Sequence, residues 1–386
     1  MHHVRSGPRW VVALTATILL VTGCAPTSTS DVPLALGTAA PESTAAARSA
    51  PVATSVPTPE PTIDPAAPCT KDCWPLSGKP AKVGATDRRP LIVKIDNAPA
   101  ARPHYGLAQA DMVFEILVEG FVTRLAAVFQ SQDPQTIGAV RSARLADRSL
   151  TPMFDGALVY SGTSAYAWKL ISRDAADGKY VELSADHAGG YYRVSFRAAP
   201  YNLFTSAQNM RQQLAAIGAQ GSAKVPAWGF LATTEHPATV AGMAGGTEAT
   251  EVTIPYRKDS SLVTYKYDAS TRTYQRFQNN DGKAVREVDA LTSTPVNAST
   301  VVVIHTEIWE VDEIVDAAGS HAHDMRLLGK GAATVFRDGL RQEATWSRQH
   351  DSDPFTFASA AGEKILLDAG QTWVHVIPNE WEVPSK

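Results

Sequence analysis

The feature that most constrains this chain is a break in composition near residue 68. Residues 25–68 are built from Pro, Ala, Ser and Thr, with no aromatic residue and five charged ones: Asp31, Glu42, Arg48, Glu60 and Asp64. Such a stretch cannot bury enough apolar surface to offset its ordering entropy. It reads as a disordered tether with Pro-rich extended pieces, and as a flexible chain it has a mean reach of roughly 40 Å. From Trp74 onward the sequence turns to short β-branched runs punctuated by Gly, Pro, Asn and Asp. That is the pattern of a chain built around sheets.

In front of the tether, His2, His3, Arg5 and Arg9 precede an apolar run over residues 10–21, then Val21-Thr22-Gly23-Cys24. The order is that of a secretory signal, and the run is too short to span a bilayer unaided. Its last four residues resemble a bacterial lipobox, which implies a cut after residue 23 and a lipidated Cys24. The expected location is the extracytoplasmic face of a bacterial cell membrane, with the membrane a partner through the lipid anchor. A net charge of −4 over 386 residues sets up no field to recruit nucleic acid, so none is expected as a partner. Cys69 and Cys73 are the other cysteines. In an oxidising compartment they could close a small disulfide loop; free thiols or half of a metal site are the alternatives.

Four segments are expected: a signal peptide (1–23), the lipidated Cys and tether (24–74), an N-terminal domain (75–224) and a C-terminal domain (225–386). The N-terminal domain is expected to be α/β, an α+β mixed sheet with flanking helices. Residues 91–96, 111–118, 123–130 and 156–161 read as strands. Residues 142–154, 163–171 and 206–216 read as helices, the first capped by Ser142. The C-terminal domain is expected to be mainly antiparallel β, with strands near 253–256, 262–267, 273–277, 301–311, 332–336, 340–346 and 372–377. Arg337-Asp338-Gly339 and Asp281-Gly282 carry hairpin-turn chemistry.

Two clusters can carry chemistry. Asp111, Glu115 and Glu119 are spaced by four, which puts them on one face of a strand, opposite Met112, Phe114, Ile116 and Val118. A two-residue turn at Gly120-Phe121 would set Leu117 opposite Arg124 and bring that arginine onto the acidic face. With Asp96, these carboxylates are candidate catalytic groups (Asp96, Asp111, Glu115) and could hold a divalent cation. The plainer reading is a solvated face of charge pairs. The second cluster, Gly138-Ala139-Val140-Arg141-Ser142-Ala143-Arg144, is basic. Two guanidinium forks near a helix start suit phosphate or carboxylate. The plainer reading pairs these arginines with the carboxylates. Arg102, Arg124, Arg141, Ser142 and Arg144 are the candidate ligand-binding residues, and six residues, Asp96, Asp111, Glu115, Arg124, Arg141 and Arg144, are expected to converge in one open cleft.

Other signals are thinner. Ser161 ends a strand but lacks the flanks of a nucleophile elbow. His321 and His323 share a strand face and could take zinc with His305 or His375, though a surface pair is the commoner outcome. There is no P-loop, Rossmann fingerprint or HExxH.

Several stretches resemble the YerB-like bacterial lipoproteins, in order along the chain. They are Arg89-Pro90-Leu91-Ile92-Val93-Lys94-Ile95-Asp96-Asn97, Arg102-Pro103, Gly106-Leu107-Ala108-Gln109-Ala110-Asp111, Glu115-Ile116-Leu117-Val118-Glu119-Gly120, Thr123-Arg124 and the 137–144 run. Ala199-Pro200-Tyr201-Asn202-Leu203-Phe204 is similar to a family stretch with His in place of Tyr201. Gly329-Lys330-Gly331, Val335-Phe336-Arg337-Asp338-Gly339, Thr345-Trp346 and Gly370-Gln371-Thr372-Trp373-Val374 continue the match. The resemblance implies a two-part lipoprotein of unassigned function. A looser similarity, the order strand-Asp, Ala-Asp-Met and Val-Arg-Ser, points to the LytR-CpsA-Psr phosphotransferases, whose Pro-Arg-Asp step is absent here.

The expected function is therefore a cell-envelope lipoprotein binding an anionic cell-wall or envelope ligand at an Arg/carboxylate cleft. Its alternatives are a metal-assisted phosphotransferase or hydrolase acting on wall glycopolymer precursors, and a non-catalytic scaffold for wall proteins.

Overall fold

A computed structural model describes residues 72–231, 246–316 and 318–386. The signal, Cys24, most of the tether and Cys69 lie outside the described residues. Cys73 is disulfide-bonded.

In chain order, the first elements are β1 (Leu91–Asp96), β2 (Met112–Leu117), β3 (Thr123–Phe129), β4 (Ile137–Gly138), α1 (Asp147–Leu150), β5 (Ala157–Tyr160) and α2 (Ala165–Ala176). Next come β6 (Val181–Ser184), β7 (Tyr192–Arg193), β8 (Leu203–Thr205) and α3 (Ala207–Ala216). The remainder is β: β9 (Thr247–Glu248), β10 (Glu251–Ile254), β11 (Val263–Asp268), β12 (Thr273–Asn280), β13 (Lys283–Arg286) and β14 (Asn297–Ala298). It closes with β15 (Thr300–Thr306), β16 (Ile308–Val315), β17 (His321–Met325), β18 (Gly329–Arg337), β19 (Leu340–Arg348), β20 (Thr356–Ala358) and β21 (Thr372–Pro378). The mixed α/β N-terminal part and the mainly antiparallel C-terminal part are as expected.

One eleven-stranded sheet runs through both parts, in the order β20-β19-β18-β15-β21-β2-β3-β1-β5-β6, with β9 against β19. β21 lies parallel between β2 and β15, so a strand from the end of the chain sits beside one from the start. The segments 75–224 and 225–386 thus share a sheet. Strands buried on both faces are mostly apolar, and Leu91-Ile92-Val93-Lys94-Ile95-Asp96 is fully buried, its Lys94 and Asp96 held in ion pairs. Ile92, Phe114, Ile116 and Val128 pack on one face with α2 and Trp228. Val93, Val113, Leu125 and Trp373 pack on the other with α3 and the five-stranded sheet, ordered β10-β11-β12-β13 with β14 against β12.

Three local expectations change. The helix over 142–154 shrinks to the four residues of α1 and a 3-10 turn at Pro152–Phe154, because 139–143 is extended and laced to the sheet. Ser142 therefore caps no helix; α1 follows Ala146, which offers no side-chain cap. The run over 301–311 divides into β15, inside the main sheet, and β16, which pairs with β17 as a separate ribbon. The turn after β2 is a 3-10 turn over Glu119–Phe121, with Gly120 and Phe121 both at positive φ.

Candidate functional site

The basic stretch becomes a strap across the carboxyl ends of two parallel strands, β1 and β5. Asp96 N donates to Ala139 O (2.9 Å), Arg141 N to Lys94 O (2.9 Å), Ser161 N to Arg141 O (3.1 Å) and Ala143 N to Gly162 O (3.2 Å). A buried ion pair pins it from below. Lys94 Nζ donates to Asp147 Oδ1 at 2.7 Å, and Asp147 Oδ2 accepts from Arg144 N at 2.7 Å. Burial lowers the Lys94 pKa, against the pull of Asp147. The carboxyl ends of parallel strands are where open α/β sheets place ligands.

Register decides which side chains reach the strap. Arg124 sits opposite Ile116 on one side and Asp96 on the other. The three-residue turn moves the hairpin one step from the expected Leu117–Arg124 pairing, and a one-residue step turns a side chain to the other face. Arg124 therefore joins Asp96, and Glu115 points the opposite way. The Asp96 carboxylate is shared. Oδ1 meets Arg124 and accepts from Ala98 N (3.0 Å), while Oδ2 accepts from Arg141 Nε at 2.7 Å. Burial would raise its pKa, but Arg124, the Ala98 N–H and Arg141 hold it below the usual carboxylate value. Arg144 donates to Glu119 Oε2 through Nε (3.1 Å) and a terminal nitrogen (2.5 Å).

Beside these arginines and Glu119 lies an open cavity of about 560 Å³. Arg124, Arg141, Arg144 and Ser142 line it on one side, and Ile314, Val315 and Asp316 of the β16–β17 ribbon on another. Gly162, Thr163 and Ser164 bring the start of α2 to it; Ser164 caps that helix by accepting from Ala167 N at 3.1 Å. A twelve-residue helix thus turns its positive end toward the arginines. Arg124 is only 6% exposed, and its Nε has no hydrogen-bond partner among the described residues. Arg124, Arg141 and Arg144 thus line a cavity large enough for a small anion, with Glu119 and Asp316 as its acidic lining residues. The helix end that serves the site is that of α2, not the one expected after Ser142. Ser164 lies within the helix expected over 163–171, which starts instead at Ala165 with Ser164 as its cap.

Of the six residues expected to converge, Asp96, Arg124, Arg141 and Arg144 do; Asp111 and Glu115 do not. Asp111 Oδ2 accepts from Gln130 N (2.7 Å) and Ser131 N (2.8 Å), holding the far end of the β2–β3 hairpin. Glu115 is buried under the five-stranded sheet, accepting from Asn97 Nδ2 (3.0 Å), Thr123 Oγ1 (2.7 Å) and Arg276 (2.8 Å). The three carboxylates expected to hold a divalent cation thus do not assemble, and both oxygens of Asp96 face cationic or N–H donors. Arg102 also leaves the cleft: it donates to Asn97 O and Ser260 O (2.6 Å each) and to Asn279 O (2.7 Å). His323 Nδ1 lies 3.1 Å from Val118 O, and His321 Nδ1 3.8 Å from Asp312. His375 is elsewhere, beside Tyr265 and Glu115. Among the described residues no three His, Cys, Asp or Glu side chains gather as a metal cluster.

Residues 76–220 match a family described as "Protein of unknown function (DUF3048) N-terminal domain", and residues 252–374 match its C-terminal domain. The protein of Bacillus subtilis (strain 168) named "Putative lipoprotein YerB" is 30% identical over 308 residues, which is 79% of this chain and 86% of that one. This chain belongs to the YerB-like DUF3048 family. The crystal structure of the Bacillus subtilis YerB protein is similar to it with a TM-score of 0.67 and 27% identity, covering 81% of this chain and 99% of that one. In this DUF3048 chain the arginines and the α2 cap lie in the N-terminal match, while Ile314, Val315 and Asp316 lie in the C-terminal match. The cleft is thus built jointly by both parts of the family's sequence.

Proposed function

We propose that this protein is a lipid-anchored envelope protein whose N-terminal cleft binds an anionic, phosphorylated or carboxylated envelope ligand. The observation that carries the reading is the sharing of Asp96 by Arg124 and Arg141, two arginines that line a cavity faced by the start of α2. One carboxylate cannot saturate two guanidinium groups, and Arg is suited to binding two oxygens of an anion at once. The anchor is supported by the lipobox-like Val21-Thr22-Gly23-Cys24 and by similarity to a protein named as a lipoprotein. No helix among the described residues is long and apolar enough to cross a membrane. Work outside the cell, tethered by Cys24, follows from the signal order.

The test is calorimetric titration of the soluble protein with inorganic pyrophosphate and with N-acetylmuramic acid. Arg141 is the residue to change, because it is partly exposed and Arg124 can still neutralise Asp96. Arg141→Ala should weaken binding about tenfold or more, the usual scale for losing one charge-assisted hydrogen bond. High salt should weaken the wild type in the same direction. A folded wild type that binds neither probe overturns the reading.

A further inference from the structure

Arg102, absent from the cleft, lines a different cavity of about 310 Å³, between the Arg102-Pro103 segment and the five-stranded sheet. Gln278 on β12 and Val285 on β13 are register partners, so their side chains share one face of that sheet, and both line the cavity. Gln278 is 2% exposed. Its oxygen accepts from Arg276 at 2.8 Å, and its Nε2 has no hydrogen-bond partner among the described residues. Arg102 spends its two terminal nitrogens on three backbone carbonyls, and its buried Nε is likewise unpartnered. A buried donor without an acceptor costs free energy that an acceptor on a ligand would recover.

The rest of the cavity is of opposite character. Val285 is 52% exposed and Val288 also stands open at the mouth, with Pro103 on the other wall. Glu287 also lines the cavity but is engaged by Arg276 and His104, so Arg102 and the exposed Arg286 are left as the uncompensated charges. Arg102 and Gln278, each with an unpartnered buried N–H, line the cavity, and with its cationic balance and apolar walls they define the ligand's chemistry. We propose that this cavity binds a small apolar carboxylate, its oxygens accepting from Arg102 Nε and Gln278 Nε2 and its apolar part lying on Val285, Val288 and Pro103. A free fatty acid and the C-terminal residue of a peptide both present this chemistry. The volume admits a group of about that size. The proposal is independent of the anion cleft, which shares none of these residues.

Titration calorimetry with hexanoate and with N-acetyl-leucine tests it, with methyl hexanoate as the uncharged control. Saturable binding of either carboxylate is expected, and the stronger of the two identifies the acyl or the peptide source. Val285→Asp, on the exposed edge strand β13, should weaken binding tenfold or more by placing like charge at the mouth. Gln278→Met, which keeps the volume and removes the amide, should weaken it about tenfold; Arg141→Ala should leave it unchanged. The proposal is overturned if the folded wild type binds neither carboxylate. It is equally overturned if methyl hexanoate binds as well as hexanoate, or if Val285→Asp binds like wild type.

Discussion

Glu115 shows how much the environment of one carboxylate decides. It is fully buried between the main sheet and the five-stranded sheet, paired with Arg276, which is also fully buried and stacks over Trp373 at 4.3 Å. Arg276 meets Glu287 as well, so one guanidinium is shared by two carboxylates. Removing one member of a buried pair leaves an uncompensated charge and typically costs about 3–5 kcal/mol. Arg276→Met is expected to lower unfolding stability on that scale, read from the urea midpoint at unchanged slope. Asp368 carries a different kind of strain. Burial first, and then the neighbouring Asp338, push its pKa up to about 7 even though Arg337 lies 3.2 Å away. A carboxyl whose folded pKa exceeds its unfolded value binds its proton more tightly when folded, so stability falls as pH rises from about 4 to 7 and levels off above. The slope in that window is up to about 1.4 kcal/mol per pH unit. Asp368→Asn should flatten the stability–pH curve between pH 4 and 7, and a variant that keeps the wild-type slope would rule the assignment out.

At the scale of elements, α2 carries the clearest prediction. Ser164→Ala removes the acceptor for Ala167 N and should cost about 1 kcal/mol of stability. Thermal melts of the variant check this. Strands and turns with local signatures were legible in the sequence: Leu91–Asp96 by its short β-branched apolar run, and the hairpin at Arg337-Asp338-Gly339 by Asp338 and Gly339, both at positive φ as its turn requires. Of the site, the arginines and Asp96 were legible because they crowd strand ends. The β2–β3 register was not, because Phe121 adopts φ 58°, a conformation no local rule assigns to a bulky aromatic residue. The shifted turn took Arg124 off the face of Glu115, and the five-stranded sheet, through Arg276, buries that face. The missing helix at 142–154 has a similar cause: residues 141 and 143 spend their backbone groups on β1 and on the loop after β5, a long-range choice that propensity does not register.

At the scale of the molecule, the placing of β21 couples the chain's two halves. β21 pairs with β2 over Met112–Ile116 and with β15 over Thr300–Thr306, both parallel. Without it, β2 would present an unpaired edge, and Val113, Phe114 and Ile116 would lose the side chains of Trp373, Val374 and Val376 beside them. Exposed apolar sheet edges pair with other chains rather than stay in water. The Glu115–Arg276 pair would be severed by the same division, leaving a buried carboxylate alone. The cleft would lose its ribbon wall, since Ile314 and Val315 come from the second half. Residues 75–224 expressed alone should therefore be poorly soluble or fail to unfold cooperatively, even though a family boundary falls near that point. Residues 75–386 should melt as one transition, with calorimetric and van't Hoff enthalpies equal. Two resolved transitions in the longer protein, or a cooperative melt of 75–224 alone, would show that the halves fold independently and that their shared sheet is a docked interface.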